Sequence, residues 1–145
     1  MRCGCPWDEA ERRGDVEVIT APLPAECGGA VVQRRPGRAW VVLDPDLDPA
    51  EQRCRLAHEL VHLERGSVRA PCAPPSWDAV VAREELAVDR EVASWLVPSR
   101  ELARFVRGHA SADLGITSAI VATEFEVTEP IAALALADLR DERLR

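Results

Sequence analysis

Residues 48–66 read DPAEQRCRLAHELVHLERG, and this stretch decides the fold. Asp48 can accept the unpaired N–H groups of a helix start. Pro49 suits the first helical position, and Glu51 completes a box-like pattern with Asp48. Gly66 is a stop signal. The stretch therefore predicts a helix over 49–65. Leu56, Leu60 and Leu63 supply the apolar contacts that would fix it. Inside it lies His58-Glu59-Leu60-Val61-His62, an H-E-x-x-H sequence. Residues four apart share one helix face, roughly 40° apart around the axis. Both imidazoles can thus reach one zinc ion, and Glu59, beside the first, can take a proton from an attacking water.

Working outward toward the N-terminus, the chain alternates β-branched runs with turn residues. Trp7 to Arg13 reads as a short helix stopped by Gly14. Val16-Glu17-Val18-Ile19-Thr20 reads as a strand closed by Pro22 and Pro24. Ala30 to Arg34 and Arg38 to Leu43 flank Arg35-Pro36-Gly37, which has the chemistry of a hairpin turn. The expected N-terminal unit is a small, mostly antiparallel sheet.

Toward the C-terminus, Arg69 to Pro75 holds three prolines and is expected to be a loop. Ser76 can cap a second long helix over about 77–96, ended before Pro98. Ser99 starts a short helix ending near Gly108. Two more follow, over about 117–125 and about 129–142, the latter with Thr128 as cap and Pro130 in its first turn. Residues Ile120 to Thr128 and the helix after them resemble a helix-turn-helix. Glu129, where a basic residue would face DNA, favours two helices closing a core or a docking surface.

Catalytic zinc usually has three protein ligands, so the histidine pair needs a third. The extended H-E-x-x-H-x-x-G-x-x-H pattern fails: Arg65 holds the glycine position and Val68 the third histidine position. A downstream carboxylate is the other solution, and Glu84, Glu85, Asp89 and Glu91 all lie on the next helix. Glu85 and Asp89 are four apart, so one face could offer a ligand and an acceptor for an imidazole N–H.

These residues resemble the ImmA/IrrE family of small metallo-endopeptidases. Leu56 to His62 is similar to that family's active helix. Glu85 to Pro98 is similar to its second helix, with an acidic residue, a small-residue face and a closing Leu-x-Pro. Trp40 to Asp44 resembles the extended segment leading into the active helix. The resemblance implies His58 and His62 as metal ligands, Glu59 as general base, Glu85 as third ligand and Asp89 in support of a ligand. Two departures bear on this: Glu91 stands where a large apolar residue is common, and Glu84 adjoins Glu85. The resemblance further implies one catalytic Zn2+ and cleavage of a partner protein, often a helix-turn-helix transcriptional repressor, in phage, mobile-element or stress control.

The expected architecture is α+β: a small antiparallel N-terminal sheet packed on a zincin-like helix pair, with C-terminal helices. One domain is expected over 1–145, with a core over about 15–98 and a helical part over 99–145. The chain has 145 residues, 47% of them apolar, which suits one domain with a buried core. No apolar run is long enough for a membrane span. Met1 to Ala10 carries charges and no apolar stretch, so a cytoplasmic location is expected. The net charge of −7 argues against direct binding of nucleic acid. Five cysteines in scattered spacing read as reduced thiols.

All 18 basic residues are Arg, and Lys and Tyr are absent, which excludes Schiff-base, P-loop and tyrosine chemistry. A developing oxyanion would have to be met by the metal, a backbone N–H, an Arg or His109. Two other readings keep the metal. One is a non-catalytic regulator that binds a repressor or DNA. The other is a structural zinc domain, which needs a fourth protein ligand.

Overall fold

The structure is a computed structural model and describes residues 2, 4–66, 78–109 and 115–144. The expected Pro-rich loop, the Ser76 cap, Cys3 and Cys72 lie outside the described residues. Helix α1 (Pro6–Arg13) leads into strand β1 (Val16–Thr20). A 3-10 turn (Ala25–Cys27) precedes β2 (Ala30–Arg35) and β3 (Arg38–Leu43). Five helices follow: α2 (Pro49–Arg65), α3 (Asp78–Leu96), α4 (Ser99–His109), α5 (Ser118–Phe125) and α6 (Glu129–Arg143). The class is α+β.

The sheet departs from the sequence expectation. Its order is β1-β3-β2, with β2 antiparallel to β3 as the hairpin requires. Strand β1, however, runs parallel to β3, so the sheet is mixed. The residues between β1 and β2 carry the chain past the sheet, and the hairpin then turns β3 into the centre. Two backbone bonds hold this crossover: Ala21 N–H donates to Leu43 O at 3.0 Å and Asp44 N–H to Gly29 O at 2.9 Å. The Asp44 carboxylate adds bonds from Leu23 N–H at 2.8 Å and Asp46 N–H at 2.9 Å.

Helix α2 is the axle of the molecule because it divides its residues among three faces. Leu56 and Leu60 are fully buried against Ala30, Val41, Leu43 and Ala10, with Leu63 at the margin. Cys54, Ala57 and Val61 face the other way, into a helical core with Val88, Val92, Leu96, Leu102 and Val121. Burial of that many aliphatic side chains contributes on the order of 1.5–3 kcal/mol each before entropy is counted. His58 and His62 occupy the third face. The capping box is formed as the sequence requires: Glu51 N–H donates to Asp48 and Asp48 N–H to Glu51, both at 2.9 Å.

Helices α5 and α6 pack as a pair. Val121, Val127, Ile131, Ala132, Ala135, Leu136 and Leu139 all enter the helical core. The turn between them places Glu126 at φ 52, and Arg53 of α2 donates to the carbonyls of Phe125 and Glu126. Among the described residues no helix is long and apolar enough to cross a membrane.

Candidate metal centre

The site begins with helix geometry. His58 and His62 are one turn apart on α2, each 7% exposed, with ring centroids 4.6 Å apart. Their Nε2 atoms lie 3.0 Å from one another. Helix α3 passes alongside and presents Glu85. One carboxylate oxygen lies 3.2 Å from His58 Nε2 and the other 3.2 Å from His62 Nε2. Asp89, one turn further along α3, stands 2.9 Å from Nδ1 of His58.

The hydrogen bonding fixes what these atoms can do. A carboxylate only accepts, so in the neutral ring His58 donates its Nδ1–H to Asp89 and keeps a lone pair on Nε2. That lone pair faces the Glu85 carboxylate and Nε2 of His62. Two imidazole nitrogens and a carboxylate thus converge on one small volume, and together they form a group able to hold a metal ion. A tetrahedral ion with bonds of about 2.0–2.1 Å spaces its ligand atoms by about 3.3 Å. Contacts of 3.0, 3.2 and 3.2 Å match that spacing. The donor set, two nitrogens and one carboxylate, fits zinc, and three ligands leave a position for a substrate or water.

Neighbouring carboxylates are engaged elsewhere. Arg65 at the end of α2 holds Glu84 through two bonds, at 2.8 and 3.0 Å, and reaches Glu91 at 3.3 Å. Glu84 keeps the Arg65 guanidinium protonated well above its ordinary range. Arg2 also pairs with Glu64 and Glu91, and its guanidinium stacks 5.1 Å from the Trp95 ring. The Arg2 and Arg65 contacts give the Glu91 carboxylate its partners, and they join α2 to α3 beside the site. From β2, Arg34 donates to the His62 carbonyl at 3.2 Å, tying the sheet to the same turn of α2.

Glu59 lies on α2 beside His58, partly exposed. His109 is not brought to the site. It ends α4, its Nδ1 is 2.9 Å from Phe105 O, and its ring packs 4.2 Å from that of Phe105. It shares no contact with His58, His62 or Glu85 among the described residues. Sequence reasoning missed Arg2 and Arg65 as the links between the helices. A helical wheel would have placed Arg65 on the α3 side, but nothing local pairs Arg2 with residues more than sixty positions away.

A helix carrying two histidines and a general-base candidate, crossed by a second helix carrying a carboxylate, is the arrangement of a metallopeptidase-type domain. The chain matches the family model described as the IrrE N-terminal-like domain over residues 11–136, and it belongs to that family of peptidases. The match spans the sheet, both helices of the site and most of the C-terminal pair. Among curated proteins and among solved structures, none matches the chain.

Proposed function

We propose that the protein is a zinc-dependent endopeptidase that cleaves a partner protein in the cytoplasm. The observation that carries this reading is the convergence of His58 Nε2, His62 Nε2 and the Glu85 carboxylate at 3.0–3.2 Å, with Asp89 bonded behind His58. His58, His62 and Glu85 would hold the ion, which when bound supplies Lewis acidity to the reacting centre. Asp89 holds the His58 ring in one tautomer and one orientation. Glu59 takes a proton from the attacking water as its oxygen bonds to the scissile carbonyl carbon. It passes that proton to the amide nitrogen as the C–N bond breaks. The partner suggested by the resemblance to ImmA/IrrE proteins is a helix-turn-helix transcriptional repressor, in phage, mobile-element or stress regulation.

The test is made on regulation in the cell. Glu59→Gln keeps the fold and the metal ligands but removes the base. With a reporter for a candidate helix-turn-helix repressor, the proposal expects derepression and repressor fragments with the wild type, and neither with Glu59→Gln. Unchanged derepression by Glu59→Gln would favour a regulator that binds without cutting.

A further inference from the structure

A cavity of about 380 Å³ opens beside His58. Its walls include Leu47, Cys54 and His58, closed on the far side by Pro130 and Ile131 at the start of α6. The space exceeds one amino-acid side chain, and it shares both His58 and Asp89 with the metal centre. The cavity adjoins the centre on the His58–Asp89 side, and Glu59, His62 and Glu85 are not among its lining residues.

Arg55 stands in the lining as well, and it is exposed. On α2 it precedes His58 by three residues and Glu59 by four, so it shares their face. The two acidic groups of the lining are committed. Glu51 accepts the Asp48 N–H within the capping box, and Asp89 lies against His58. Arg55 makes no hydrogen bond or ion pair with any described residue. Its guanidinium lies over Gly28, where a Cβ would stand 4.0 Å from Nη2. Gly28 has φ 64, which suits glycine, and a Cβ there would be in ordinary van der Waals contact with the guanidinium.

We propose, resting on the endopeptidase reading above, that this cavity receives the substrate side chain next to the scissile bond. Arg55 selects a carboxylate there, Glu or Asp. Apolar walls would take the methylenes of the side chain and the guanidinium fork its two oxygens. The preference runs against the net charge of −7, which by itself would draw basic peptides. Arg55 is a specificity-determining residue in this account and takes no part in proton transfer.

The experiment reads binding rather than turnover. Zinc-loaded Glu59→Gln protein is immobilised and presented with random decapeptides, acetylated at one end and either amidated or left as free acids at the other. Retained peptides are sequenced. In the amidated pool the proposal expects Glu and Asp enriched on the order of 10-fold over Gln and Asn, the discrimination of one charge-assisted bidentate contact. Adding Arg55→Ala should bring that ratio to about 1, and Arg55→Glu should invert the preference toward Arg and Lys. A ratio that is the same with and without Arg55 overturns the proposal. Enrichment confined to free-acid peptides also overturns it, because Arg55 would then be reading a chain terminus. Cleavage of the retained peptides by the wild type is scored separately. Its failure alone would count against the endopeptidase reading and leave the carboxylate preference standing.

Discussion

The carboxylate of Asp89 lies 2.9 Å from Nδ1 of His58, on the side of the ring opposite the atom that faces Glu85. The contact orients the ring from behind and adds to the basicity of Nε2. Replacing Asp89 by Ala should weaken zinc affinity by about 10–100-fold, the usual effect of losing such a partner. Asp89→Asn keeps an acceptor oxygen and should lose less. Competition with a calibrated chelator measures both. Equal losses for Ala and Asn would show that charge, not the hydrogen bond, is what matters.

Glu84 and Glu85 are adjacent in sequence yet face different partners. Glu85 meets the two histidines, while Glu84 meets Arg65. Glu85→Ala should therefore purify with little or no zinc. Glu84→Ala should keep a full equivalent and lose less than about 1 kcal/mol of stability, as for a surface ion pair. Metal analysis of the two purified variants, with denaturant melts, decides it.

Glu126 adopts φ 52, a left-handed conformation that costs a side-chain-bearing residue roughly 1–2 kcal/mol. Glu126→Gly relieves that cost and gives some back through the unfolded chain, so a net gain of about 0.5–1 kcal/mol is expected. A urea midpoint shifted upward with unchanged slope would show it.

The Asp44 carboxylate is held below its ordinary range, chiefly by the Asp46 N–H and next by the Leu23 N–H. A depressed carboxylate contributes stability above its unfolded value, near 3.8, and loses it as pH falls through the folded value. Asp44→Asn should thus melt below the wild type at pH 7, and the gap should close as pH drops below about 4. A gap independent of pH would mean that the ionised form is not what these amides hold.

Much of this molecule was legible from local rules. Helix α2 runs from Pro49 to Arg65 as its capping box and Gly66 dictate, and that alone puts His58 and His62 on one face. Helix α6 begins at Glu129 with Pro130 in its first turn as read, but Thr128, expected as its cap, holds the N-cap position without a side-chain capping bond. The pairing of β1 was not legible. Alternation in Val16–Thr20 marks Val16 and Val18 as the half-buried face, but a five-residue strand carries no local mark of its neighbour or direction. The choice between Glu84 and Glu85 was equally open to spacing. It rests on how α3 is turned against α2, to which Arg65 and Arg2 contribute through long-range contacts.

The most direct measurement takes wild type and Glu59→Gln, each loaded with zinc, and assays both on an unfolded protein by sequencing new chain ends. The account predicts one zinc bound to each, internal cleavage by the wild type, and a rate for Glu59→Gln lower by at least about 100-fold, the lower range for losing a general base. Equal cleavage by both proteins, or a wild type that binds no zinc, would contradict it.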